Sequence, residues 1–436
     1  MYNIAGRFLT LATVVRVKQI EISRDAFLGI DESDVHTCAA AELFRETIAL
    51  AWPGARITWA LSWLALTDQR QNYKDLKYLI AHYHQKYGDE VTFIPGGYFA
   101  NMYNSREQVN RDLHDGLAMV SDIIGKGYRP LGVIAGFLAA ANLRYLAEKE
   151  GIHVCQGNIW SQYGIDNGDG DGSISYPYYP SQEHFLKPAQ GADDFIDCVN
   201  LDGWTCDFLT ARRAGLAEGA NSRSGVGPIE TLLAYGTEKG LQEMLATTAI
   251  HFDDGCKLNG FGWITCIWEL ALVEGYKIYG HGGRNGMDGL KRWLSEIRQR
   301  WPDAQCISHG EFGMLWRKYF RNNEALDYRF VQRGTGFPGS EPEMEIQWRM
   351  NKKFRLALLR NWKVGGSERV IDFTRYDLPA KEPDDPTSEK PIRNWSLINR
   401  LNQKGLRPQD KPIFFSDLTA EEQSIVRKYY PDLLWP

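Results

Sequence analysis

Two carboxylates stand where an apolar run ends beside a tryptophan: Asp202 in NLDGW and Glu269 in IWEL. Cleavage of a glycosidic bond needs such a pair, one carboxyl as acid and one as nucleophile or base, facing each other across the bond. Glu311 in SHGEFG is a third candidate. Each has a plainer reading. Asp-Gly is a common turn pair, and Leu270, Ala271 and Leu272 extend the apolar run past Glu269, as a buried ion-pair partner would require. A rival chemistry lies in DAFLGIDESDVHT (25–37), where Asp31, Asp34 and His36 form an Asp/His group of the kind that holds zinc or another divalent ion, with His309 as a further donor. Asp34 could equally cap the next helix. Residues 167–173, NGDGDGS, resemble the first half of a calcium loop, with oxygen ligands at alternate positions. Tyr178 stands where the closing Glu belongs, and a glycine-rich surface turn is the plainer alternative. His82 and His84 are two apart in a helical stretch and face different sides.

These residues need elements to position them. Up to about residue 330, strand-like runs alternate with amphipathic stretches, the pattern of a parallel α/β fold. Strands are expected at 8–22, at the start of the apolar run 56–66 (which is long enough for strand or helix), and at 90–99, 131–137, 152–156, 195–201, 261–270 and 305–308. Helices are expected at 39–51, 71–87, 105–126, 139–150, 229–252, 286–300 and 310–320, with Thr37 and Ser105 as caps. Short strands with longer helices, and no GxGxxG or Walker sequence, favour an irregular, TIM-like (β/α) barrel of seven to eight strands over a nucleotide-binding sheet. Barrel chemistry sits at the C-terminal ends of strands, where all three carboxylates fall. The same rule picks out Trp63, Asn158, Trp160, Trp204 and Trp268, and the long connection adds Tyr178, as walls and polar floor for a sugar. The long aromatic connection 151–207 is expected to lie over the mouth. After residue 330, alternating segments at 343–350, 354–362 and 368–376 read as antiparallel strands, with a hairpin at 364–367 and a capping box at Thr419 opening a last helix. The expected domains are therefore a barrel over 1–330 and a small β-rich unit over 331–436.

Composition narrows the partners. The chain has 436 residues, 43% hydrophobic and 24% charged, as a globular protein does. A net charge of −5 and a pI near 6.0 give no basis for nucleic acid as the main partner. Fourteen Trp and 21 Tyr suit a carbohydrate, whose apolar face stacks on rings, although core packing also uses many of them. Seven cysteines, none in a CxxC pair, read as free thiols. No run of 18 apolar residues spans a membrane, and the N-terminus lacks a signal-peptide layout. Localisation stays open between cytoplasm and, if a leader has been removed, periplasm. Oligomeric state is not readable.

The stretches GIDESDVHT (29–37), GARITWALSWLAL (54–66), 157–181 and NLDGWT (200–205) resemble the glycoside hydrolase/deacetylase barrel superfamily. In particular they resemble an uncharacterised bacterial family of such barrels with a small C-terminal domain. The resemblance implies a carbohydrate-active hydrolase, working by carboxylate-based glycosidic cleavage or by metal-dependent deacetylation. A barrel that binds sugar without cleaving it is the third alternative. The deacetylase pattern of an Asp-Asp pair on the first strand and HxxxH after the second is not matched: LALTDQRQNYKDL follows Trp63 with no histidine. The resemblance therefore favours the carboxylate reading, with a divalent metal as a candidate cofactor only.

Overall fold

The computed structural model describes residues 4–136, 138–158, 172–203, 228–278, 284–336, 342–366, 368–387, 390–392, 395–397 and 412–433. In chain order the strands are β1 (Gly6–Val15), β2 (Lys18–Glu21), β3 (Phe27–Asp31), β4 (Thr58–Leu61), β5 (Glu90–Phe93), β6 (Val133–Ile134) and β7 (Val154–Asn158). Then come β8 (Val199–Asp202), β9 (Phe261–Ile267), β10 (Gln305–Ile307), β11 (Asp327–Arg333), β12 (Met344–Asn351), β13 (Phe354–Asn361) and β14 (Arg369–Arg375).

β1 is the hub. It pairs in parallel with β9 on one edge, and on the other with β10 near its start and β4 near its end. β4 continues to β5, completing a five-stranded parallel sheet, and β6, β7 and β8 form a second parallel sheet. The Thr92 hydroxyl on β5 donates to the Gly132 carbonyl and links the two. Paired residues point the same way. Phe8, Thr10 and Ala12 therefore share one side with Trp263, Thr265 and Ile267, and alternate with Leu9, Leu11 and Val15, which pack in the main core with Phe44, Ile48, Leu76 and Ile80 of the flanking helices. The two sheets thus have an inner side and a helix-covered outer side.

The helix His309–Tyr319 fills the inner space at the N-terminal ends of the strands, with Phe312 stacked on Trp263 at 4.7 Å. It lies so close that a Cβ on Gly313 would be 2.3 Å from Val154. At the opposite end, Ala12, Val14, Ala60, Ile94, Ile134 and Ile267 form a small apolar floor beneath the mouth.

Several expectations shift. The single strand expected at 8–22 is β1 followed by a hairpin, β2–β3, which reaches to Asp31. The run 56–66 is the short β4 and then a helical turn, Trp63–Thr67, capped by Ser62. The connection after β7 is not simply a cover. Of its described part, Tyr178 bridges the free edge of β8 at Asn200, and the Tyr176 hydroxyl takes the Trp263 amide of β9. This segment therefore lies between β8 and β9, with Tyr176, Tyr178, Tyr179 and Phe185 fully buried. The 167–171 part of the calcium-like loop lies outside the described residues. Six cysteines are free thiols, and Cys206 lies outside the described residues.

The C-terminal unit is a four-stranded antiparallel meander, β11 to β14, backed by the helix Ala420–Tyr429 through Phe354, Leu356, Val426 and Tyr430. It begins at Asp327, one strand earlier than expected, because DYRFVQR alternates with buried Tyr328, Phe330 and Gln332. The helix Cys38–Ala51 starts on Thr37, the helix Arg106–Ile124 on Ser105 and the last helix on Thr419, each capped as expected. Among the described residues no helix is long and apolar enough to cross a membrane.

Candidate active site

Arg16 follows β1 and extends its inward-facing set to the C-terminal ends of the strands. Its guanidinium is almost wholly buried and lies between two carboxylates. Glu32 accepts from Nε and Nη2 at 2.5 and 2.8 Å, and Glu269 from Nη1 and Nη2 at 3.3 and 2.9 Å. Two acceptors of the same nitrogen place the carboxylates within about 6 Å of each other. Their surroundings differ. The Glu32 side chain is 0% exposed and that of Glu269 is 26% exposed. Burial alone would raise the Glu32 carboxyl, but Arg16 and the hydrogen bond from His36 carry it well below the usual range. His36 Nε2 lies 3.2 Å from Glu32 and is itself buried.

Tyr98 faces the same charges. Burial, and then the Glu269 charge, push its hydroxyl well above the ordinary value, so it remains a neutral phenol. It has a φ of 78°, the only positive φ outside glycine among the described residues. A bulky residue held there costs about 1–3 kcal/mol and marks a place where the surroundings dictate geometry. Gly136, also at positive φ, makes it possible: a Cβ there would lie 2.6 Å from the Tyr98 Cβ.

The expected residues distribute as follows. Glu269 stands at the mouth. Asp202 does not face it. Leu201 pairs with inward Gln156, so Asp202 shares the outer side with Asn200, and Gly203 turns back toward Gln156 and Ile267. Asp202 is fully buried and lies in the field of Tyr178. Glu311 is at the other end, where it completes the capping box with Ser308 and pairs with Arg56 at 2.8 Å. Trp63 is half-buried, with one ring face covered by the Arg24 guanidinium at 3.8 Å. Trp268 points into the helix-side core, Asn158 is buried with its amide bonded to Leu201 and Ser173, and Tyr178 bonds Phe185 and Asn200. Trp160 and Trp204 lie outside the described residues.

The four metal candidates are not brought together. Asp31 sits on the exposed hairpin paired with Lys18 at 2.8 Å, and this bond and one from Ser33 outweigh burial and lower its carboxyl to about 2. Asp34 is exposed, and His36 turns to Glu32. His309 lies at the lower end of the inner space, 2.7 Å from the Thr265 hydroxyl, and burial lowers it to about 3, leaving it neutral. Among the described residues no three His, Cys, Asp or Glu side chains are placed to hold a metal ion. These donors do not fit a metal centre. Arg16 was missed because it reads as one more residue of an alternating strand.

A mixed α/β protein with two parallel sheets, a polar cluster at their C-terminal ends and a C-terminal antiparallel sheet is the class defined by this geometry. Residues 2–350 match the model of the family described as a domain of unknown function with solved structure, DUF3863, and the chain belongs to that family. Residues 355–433 match DUF3864, likewise of unknown function. A crystal structure from Parabacteroides distasonis, named as a candidate glycoside hydrolase/deacetylase, is 48% identical, covers 99% of this chain and all of its own, and superposes with a TM-score of 0.91. A candidate polysaccharide deacetylase from Pseudomonas aeruginosa PAO1 is 11% identical over 72% of this chain and 92% of its own, with a TM-score of 0.46. A GH57 branching enzyme from Thermococcus kodakaraensis is 12% identical over 70% of each chain, with a TM-score of 0.41. At that distance neither says anything about this chain's chemistry. No curated protein matches.

Proposed function

We propose that this protein is a carbohydrate-active hydrolase and that Glu269 is one of its two reacting carboxyl groups. The observation that carries this is the partly exposed Glu269, clamped by a buried arginine at the C-terminal ends of parallel strands. The name given to the 48% identical relative supports the same class. We read the two sheets as one irregular barrel, with the segment around Tyr176 and Tyr178 between β8 and β9, and the C-terminal sheet as a second domain.

In this reading Arg16 fixes the orientation of Glu269 and leaves its open side to the substrate. Preorganised charge of this kind stabilises a developing oxocarbenium centre without reorganisation in the transition state. The neutral Tyr98 phenol, enclosed beside Arg16 and Glu269, helps to fix the placement of that pair. Glu32, itself bonded to His36, holds Arg16, and neither touches substrate, since both are enclosed. Glycosidic cleavage is favoured over metal-dependent deacetylation because the donors expected for a metal point to separate places.

A panel of aryl glycosides and acetylated aryl sugars tests this. The protein should release the aryl alcohol from at least one glycoside, with or without EDTA, and Glu269→Gln should abolish the release. An inert wild-type protein, or an equally active variant, overturns it.

A further inference from the structure

The C-terminal sheet reaches the mouth through a continuous set of hydrogen bonds. On β13, Arg355 is fully buried, pairs with Asp372 of β14 at 2.6 Å, and donates from Nη1 to the Ser173 carbonyl at 2.8 Å. The Tyr376 hydroxyl donates to the neighbouring Gly172 carbonyl at 2.8 Å. Held in this way, the Ser173 hydroxyl donates to Asn158 Oδ1 at 3.0 Å, where β7 ends. The Asn158 carbonyl accepts from Gln156 Nε2 at 2.6 Å, and Gln156 Oε1 accepts the Gly136 amide at 3.1 Å. Gly136 is the residue packed against the Cα and Cβ of Tyr98.

Ser173, Asn158 and Gln156 are all 0% exposed, so none of these groups can serve a ligand directly. Buried polar groups satisfied in a chain specify one arrangement, because each alternative leaves a donor or acceptor unpaired. This chain ends beneath the one strained side chain of the mouth.

We propose that the C-terminal sheet is part of the catalytic apparatus: through Arg355, Tyr376 and Ser173 it fixes the end of β7 and, by way of Gln156 and Gly136, the position of Tyr98. Ser173 and Arg355 are then positioning residues. The proposal rests on the hydrolase reading for its kinetic consequence but not for its structural one.

Two variants test it. Ser173→Ala keeps the carbonyl that Arg355 grips and removes the hydroxyl's links to Asn158 and Tyr178. Arg355→Met with Asp372→Leu replaces the buried pair by apolar side chains and removes the grip itself, a change that folds tolerate. Both are measured by steady-state kinetics on the best aryl glycoside and by amide hydrogen exchange of the full chain. The expected result is a fall in kcat of about 10-fold with KM within about twofold, and faster exchange at 95–101 and 133–136 while 344–351 is unchanged. Unchanged exchange at 95–101 in both variants overturns the proposal, whatever the activity. If Glu269→Gln is as active as wild type, the hydrolase reading falls, and the exchange result still decides this one.

Discussion

Both ends of the inner space enclose a carboxylate, and they treat it in opposite ways. At the N-terminal end, Glu90 is buried and accepts the backbone amides of Leu131, Gly132 and Gly310 at 2.8–2.9 Å, with no cation paired to it among the described residues. Burial raises its carboxyl, and those donors only partly offset this. Neutral donors from three places tie β5, the approach to β6 and the helix His309–Tyr319 into one knot. At the C-terminal end, Glu269 is held by a guanidinium, is open on one side, and faces a strained tyrosine. Backbone donors saturate a carboxylate and make it structural. A charge clamp on a half-open carboxylate orients it and leaves lone pairs for a substrate.

The largest effects should separate along this line. Glu269→Gln should lower turnover by about 10³-fold, with a melting temperature close to wild type. Glu90→Ala should do the reverse. It leaves three buried amides unpaired, which costs at least about 3 kcal/mol of stability in a denaturant titration, while the protein that remains folded keeps its kcat. A large activity loss at Glu90 with full stability would dissolve the contrast. Glu90 also predicts a pH effect. Its folded carboxyl is raised above the ordinary value of 4.5, so its contribution to stability is complete below that value and is lost as pH rises through the folded one. Glu90→Gln cannot ionise. The difference in stability between wild type and this variant should therefore move against the wild type as pH rises from 4.5, and a flat difference would show that the site does not titrate.

Tyr98→Phe should have a smaller effect. It retains the ring and the strained backbone and removes only the neutral hydroxyl, which is worth about 10-fold in kcat. Unaltered kcat would reduce Tyr98 to a wall of the mouth. The helices were legible because caps and periodicity are local: Thr37, Ser105 and Thr419 each begin the helix expected of them. The position of Glu269, just past the end of a strand, was legible because the apolar run before it is strand-like. The cap that Glu311 completes was in plain sight, since Ser308 three residues before it spells a capping box. The face of Asp202 was not legible, because the register shifts between Gln156 and Asn158 on the neighbouring strand. Arg16 was hidden for another reason: its partner Glu269 is 253 residues away, and only tertiary structure joins them.

The smallest expected effect is also the one that bears hardest on the rival chemistry. Asp31 lies on the β2–β3 hairpin, with its side chain 47% exposed and its partner Lys18 beside it. An ion pair that open contributes between 0 and about 1 kcal/mol. Asp31→Ala should therefore change stability by less than that, leave kcat and KM within about twofold, and leave the metal content by elemental mass spectrometry as in wild type. Glu32 is the adjacent residue, yet it points inward to Arg16 and belongs to the other regime. If Asp31→Ala instead removed both activity and bound zinc, the reacting centre would lie on the hairpin, and the clamp on Glu269 would be only a buried ion pair at the end of a strand.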